Sequence, residues 1–291
     1  MVVRAALILC WAFALSGCAS LDGEQRTTAS DGVELVYDVS GEGETTLVFV
    51  HGWLCDRTHW ESQVVHFQGD YRVVTMDLGG HGESTKNVAQ RPQWSLPRLA
   101  EDVRSVLHDV ERRSELGRFV IVGHSLGGPV SAMAATDLPG ELRGVVGVDT
   151  FHDASVEFTP EMIDGMAGRF ADDFHGAVDR MVAGSFAPPA DEVAVERVQS
   201  IARRVNPRIG VAILRSYVGV SLGEVLRRCP VPVFCINADR QKTELSTNRR
   251  YAPNFEVAVL SDVGHFLMIE KPYEFHRYLE AAIDRLLTDD E

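Results

Sequence analysis

Apolar residues along the chain fall into short unbroken runs, and longer stretches with helical spacing separate them. Thr46–Val50, Tyr71–Met76, Phe119–Val122, Val145–Val148, Val231–Ile236 and Glu256–Leu260 are the runs, each short enough for a buried strand. Val33–Val39 instead alternates apolar and polar residues and predicts a strand with one exposed face. Leu99, Val103, Val106, Leu107 and Val110 recur at helical intervals and predict an amphipathic helix over about 97–114. Helices are also predicted over 58–68, 126–138 and 272–287. Continuous apolar strands interleaved with helices predict an α/β fold, a mostly parallel sheet covered on both faces.

Residues 151–228 break this rhythm. They lack apolar strand runs, read as several helices, and carry Pro160, Pro188, Pro189 and Pro207. They predict a helical cap inserted after the sixth strand, between core segments 31–150 and 229–291. No internal repeat or low-complexity segment appears.

The amino terminus follows another pattern. Met1–Arg4 is followed by an uncharged apolar run, Ala5–Leu15. A bilayer-spanning helix needs about 20 apolar residues, so this run reads as the core of a signal peptide over 1–17. Leu15-Ser16-Gly17-Cys18 resembles the lipobox of bacterial lipoproteins. The resemblance implies acylation of Cys18 and a lipid anchor in the bacterial cell envelope. Ala19, rather than Asp, implies the outer membrane where enteric-type sorting applies. Without lipidation the chain is secreted. Residues 18–30 are polar and aperiodic and read as a tether.

Composition narrows the partners. The 291 residues are 45% apolar and 24% charged, which supplies a core and excludes a disordered chain. The net charge of −14 argues against nucleic-acid binding, which needs clustered Lys and Arg. Cys55, Cys229 and Cys235 remain after processing, so at least one thiol stays free. No Cys/His spacing suggests a metal, and no nucleotide or flavin motif suggests a cofactor. Oligomeric state is not legible.

The chemistry begins at Gly123-His124-Ser125-Leu126-Gly127, a G-x-S-x-G sequence between a predicted buried strand and a small-residue helix. Such a turn is sharp and lifts the serine above the sheet, with helix N–H groups aimed at any anion forming there. Three further segments fall in a fixed order around it: His51-Gly52-Trp53, Asp77–Ser84 and Gly264-His265-Phe266. With them the chain resembles the α/β-hydrolase superfamily over about 32–288.

The resemblance implies a serine nucleophile, Ser125, activated by His265 as general base. It implies an oxyanion hole from the backbone N–H groups of Trp53 and Leu126. His51 reads as a structural hydrogen bonder, and the Asp77–Ser84 loop as a buttress. A third group must orient the imidazole. Asp239, after the seventh strand, is the first choice. However, Arg240 and Gln241 stand where that family usually places the acid. Asp149, after the sixth strand, is the alternative, and Asp153 a more distant one.

Ser125 excludes the Asp-nucleophile dehalogenases and epoxide hydrolases of this superfamily. The expectation is a serine esterase acting on a small acyl substrate. Phenylalanines among the acidic residues of 151–228 suit a neutral or apolar ester. An acyltransferase or perhydrolase with the same triad, and a catalytically inactive binding module, are the alternatives.

Overall fold

A computed structural model describes residues 23–288, apart from positions 115 and 139. The strands are β1 Gly23–Thr28, β2 Glu34–Ser40, β3 Thr45–Val50, β4 Arg72–Asp77, β5 Arg118–His124, β6 Glu141–Val148, β7 Val233–Ala238 and β8 Glu256–Leu260. They form one sheet in the order β1-β2-β4-β3-β5-β6-β7-β8. The pairs from β4 to β8 across the sheet are parallel, while β1/β2 and β2/β4 are antiparallel. Every residue of β3 is buried, and so is every residue of β5 except Arg118. Their unbroken apolar runs are thus those of strands covered on both faces.

The helices are α1 Glu61–Phe67, α2 Leu96–Arg113, α3 Gly127–Ala134, α4 Pro160–Asp172, α5 Phe174–Ser185, α6 Glu192–Ala202, α7 Pro207–Arg215, α8 Leu222–Arg228, α9 Leu245–Asn248, α10 Leu267–Glu270 and α11 Pro272–Thr288. In α2, the five residues that set the predicted period are all fully buried. Helix α3 ends at Ala134, short of the predicted 138. Asp137 has left-handed backbone, φ +62°, which stops a helix.

Segment 23–28, expected within the tether, is an edge strand instead. It pairs with β2 from Gly23↔Val39 to Thr28↔Glu34. Its side chains are polar, so hydrophobic patterning gives no signal. Backbone pairing and ion pairs hold it, Arg26–Glu34 at 2.7 Å and Arg57–Glu24 at 2.9 Å. Residues 1–22, with the expected signal peptide and Cys18, lie outside the described residues. No described helix is long and apolar enough to cross a membrane.

Five of these helices, α4 to α8, lie between β6 and β7. The prolines that interrupt the sequence rhythm include two helix starts, Pro160 and Pro207, where the missing N–H costs nothing. Thr159, Asp173, Asp191, Asn206 and Ser221 cap the five amino ends through their side-chain oxygens. The cap is packed onto the sheet. Phe170, Phe174 and Val198 join the same buried cluster as Phe49, Trp60 and Val122.

Candidate active site

Ser125 sits where β5 turns into α3. Its backbone is left-handed, φ +52°, a conformation that costs a non-glycine residue of order 1–3 kcal/mol. Neighbours hold it there. Ser125 N–H donates to the Val148 carbonyl at 2.8 Å, and its own carbonyl accepts from Gly128 N–H at 3.0 Å. The turn needs glycine on either side. A Cβ on Gly123 would collide with the Gly127 carbonyl, and one on Gly127 would lie 2.5 Å from the Val50 carbonyl oxygen.

His265 follows β8 in an irregular loop. Its Nδ1 lies 2.6 Å from Asp149 Oδ2. The carboxylate can only accept, so Nδ1 carries the proton and Nε2 is left as the basic nitrogen. The other Asp149 oxygen accepts from Ala238 N–H at 2.9 Å and lies 3.3 Å from His152 Nε2. Burial alone would raise the Asp149 carboxyl. The hydrogen bonds from His152 and His265 outweigh it and hold the group well below the usual carboxylate range.

Asp239, the acid first expected from its place after β7, does not touch His265. It is exposed, and its nearest hydrogen bond is a 3.3 Å contact from Asp262 N–H. Asp149 alone of the two meets the imidazole, and the sheet explains why. Asp149 N–H bonds to the Ile236 carbonyl, which carries the β6–β7 register one residue past β6. A positive φ of 49° then turns the chain. Asp239 lies on the far side of β7, towards the exit of β8. Asp153 is also apart, accepting from the N–H and hydroxyl of Ser155 at 2.9 and 2.6 Å.

Neither Trp53 N–H nor Leu126 N–H donates to another group among the described residues. The Trp53 ring is anchored to the cap, with Nε1 donating to the Gly210 carbonyl at 3.0 Å and Phe170 edge-on at 4.8 Å. His51 has both ring nitrogens committed to backbone. Nε2 accepts from Leu78 N–H at 3.0 Å and Nδ1 donates to the Gly52 carbonyl at 2.8 Å. Burial lowers its pKa to about 4, so it is a neutral strut. Asp77 takes Arg57 and the Glu83 N–H, which makes the Asp77–Ser84 loop a buttress.

Two cavities meet at Ser125. One, of about 450 Å³, is walled by Phe158, Ile163, Met166, Leu214 and Leu222. The other, of about 470 Å³, contains His265, His152, Cys55, Arg240 and Met181. Ser125, Trp53, Asp149 and His152 border both. Ser125 and His265 share the second cavity without a direct hydrogen bond between them. Such bonds are often long before substrate arrives. His152 went unnoticed in the sequence because a loop has no period to place it. No group of three or more His, Cys, Asp or Glu among the described residues could hold a metal ion.

The sequence model of the alpha/beta hydrolase family matches residues 47–277. Among curated relatives, the chain is similar to a pimeloyl-[acyl-carrier protein] methyl ester esterase of Yersinia enterocolitica, 29% identical over 155 residues. That alignment covers 52% of this chain and 55% of the relative, so the chain spans little more than half of it. It is also 24% identical to the Karrikin insensitive 2 receptor CA of Petunia hybrida, over 80% of this chain and 90% of the receptor. A thermophilic esterase from Thermogutta terrifontis has the same fold, with a TM-score of 0.76 at 20% identity. The match covers 90% of this chain and 99% of that one.

Proposed function

The chain belongs to the alpha/beta hydrolase family, and from that premise we propose that it is a serine hydrolase cleaving a carboxylic ester through an acyl-serine intermediate. The observation that carries this reading is the 2.6 Å hydrogen bond from His265 Nδ1 to Asp149, in the cavity that also holds Ser125.

In the first half-reaction, Ser125 Oγ attacks the ester carbonyl carbon while His265 Nε2 takes the hydroxyl proton. Asp149 keeps Nδ1 protonated and stabilises the imidazolium. The carbonyl π electrons move to oxygen, and the N–H groups of Trp53 and Leu126 receive the oxyanion. A donor of this kind typically lowers the barrier by about 3–4 kcal/mol. Collapse breaks the carbon–oxygen bond, and His265 returns its proton to the departing alcohol. Water then repeats the sequence on the acyl-serine and releases the acid.

The apolar cavity favours a neutral acyl group or alcohol, with the cap covering it. A methyl ester, the bond named for the Yersinia relative, belongs to this class. Treatment with a fluorophosphonate and intact-mass analysis tests the reading. Wild type gains one phosphonyl adduct, and Ser125→Ala gains none. A folded wild type that neither labels nor hydrolyses p-nitrophenyl butyrate would overturn it in favour of a binding module.

The lipobox-like sequence supports envelope anchoring through acylated Cys18. Metabolic labelling with a fatty-acid analogue tests it. Label that persists in Cys18→Ser contradicts lipidation at this site.

A further inference from the structure

The loop carrying His265 has no regular structure, yet its backbone is held from both sides, and one of the partners belongs to the cap. His265 N–H donates to the Ser185 carbonyl at 2.7 Å, at the carboxyl end of α5. The flanking N–H groups, of Gly264 and Phe266, donate to the two oxygens of Glu270 at 3.0 and 3.1 Å. The same Glu270 oxygen that takes Gly264 also takes Ala187 N–H, at 2.8 Å. One carboxylate therefore binds the histidine loop and the cap segment that follows α5 together.

The segment is secured a second time. Arg240 Nη1 lies 3.1, 3.2 and 3.3 Å from the carbonyl oxygens of Gly184, Ser185 and Phe186. Arg240 thus polarises the carbonyl that receives His265 N–H. The fit leaves no spare room. A Cβ on Gly264 would collide with the Ser185 carbonyl and come within 2.7 Å of both Ala187 N and Glu270 Oε1.

We propose that Ser185–Ala187 is a strap by which the cap seats the catalytic histidine, with Glu270 as the positioning residue that fastens strap to histidine loop. This rests on His265 being the general base. A base must be held to about half an ångström, and a displacement of about 1 Å costs of order a hundredfold in rate. The cap segment next to Ser185 is then part of the catalytic scaffold, and cap motion that admits substrate must pivot elsewhere.

The test uses the full-length protein and p-nitrophenyl butyrate, with Glu270→Gln, Glu270→Ala and Arg240→Met. Folding is checked by circular dichroism and thermal melting. Glu270→Gln keeps one acceptor oxygen and faces the other donors with an amide. Its kcat should fall about 10- to 100-fold, with KM changed much less. The acid limb of its kcat/KM profile should move. Glu270→Ala should lose more than Glu270→Gln, and Arg240→Met should show the same kcat-weighted loss if Glu270→Ala does not fold. A merely structural role lowers the melting temperature without moving the pH profile or separating kcat from KM. Folded variants with wild-type kcat and an unmoved profile overturn the strap while leaving an active wild type as a hydrolase. An inert, unlabelled wild type overturns the hydrolase reading itself, and the strap with it.

Discussion

His124 Nε2 lies 2.9 Å from the carbonyl oxygen of His265, so the ring preceding the serine holds the backbone of the histidine loop. The carbonyl accepts, which places the ring proton on Nε2 and leaves the buried Nδ1 without a partner among the described residues. Burial and the neighbouring His265 keep His124 well below the ordinary histidine range, hence neutral. His124→Phe removes the donor at similar bulk. Its kcat for p-nitrophenyl butyrate is expected to fall about tenfold, the effect of a small misplacement of the base. Steady-state kinetics on the folded variant check this, and an unchanged kcat contradicts it.

Buried histidines also set the response to acid. Burial lowers His51 to about 4, His81 to about 3 and His276 to about 4, and His124 is lowered too. A base whose folded pKa is depressed contributes full stability above its unfolded value of about 6.5 and loses it as pH falls towards the folded value. A tenfold difference in proton affinity between folded and unfolded chain corresponds to about 1.4 kcal/mol. His59 runs the other way. Although burial opposes it, the Cys55 and Asp56 neighbours raise it to about 10. Its contribution is present below about 6.5 and is lost as pH rises through about 10. Between about pH 6.5 and 4 the contribution of His59 does not change, while burial raises the carboxyls of Asp77 and Asp102, the latter to about 6, so these two add stability as pH falls. Four depressed histidines against these two carboxyls predict a stability maximum near neutrality and a net fall between about pH 6.5 and 4. Urea unfolding at pH 7, 6 and 5 checks it. Equal midpoints at the three values contradict it.

Gly123→Ala should damage the serine turn without touching any reacting group. The added methyl meets the Gly127 backbone and lies 2.7 Å from Ser131 Oγ. Overpacking against backbone costs about 1–3 kcal/mol. The expected outcome is a lowered melting temperature together with slower phosphonate labelling of Ser125. Wild-type values for both would mean that the turn has slack the structure does not show.

Ile163→Trp fills the apolar cavity from the cap side. Ile163 is buried and borders the cavity that opens at Ser125. Hydrolysis of p-nitrophenyl octanoate should fall more than tenfold relative to acetate, since a lost hydrophobic seat of a few methylenes is worth about 1–3 kcal/mol. A parallel loss on both esters would place the long chain elsewhere.

Much of the fold was legible because buried parallel strands leave unbroken apolar runs. The strands around β3, β5 and β7 and the helix α2 lie close to where hydrophobic patterning put them. The edge strand β1 was not, because its stability comes from pairing and ion pairs rather than burial. The positions of Ser125 after β5 and of His265 after β8 were legible from their local sequences. The partner of His265 was not. Asp149 and Asp239 both follow sheet strands, and only the register of β6 against β7, with the turn at Asp149, brings one of them to the imidazole. His152, Arg240 and Glu270 escaped because loop contacts across the cap have no periodicity. Arg240 signalled only a departure from the usual acid position, and the structure gives it carbonyl partners in the cap instead.

The measurement that tests the central claim most directly compares Asp149→Asn with Asp239→Asn in turnover of p-nitrophenyl butyrate. Phosphonate labelling is read on the same folded samples, with Ser125→Ala as control. Asp149→Asn should lose about 10²- to 10⁴-fold in kcat and label correspondingly slowly, because the imidazole loses its tautomer and its counter-charge. Asp239→Asn should stay within about threefold of wild type, as expected for an exposed carboxylate away from the site. The reverse ranking, or full activity in Asp149→Asn, would contradict the assignment of Asp149, His265 and Ser125 as one catalytic unit.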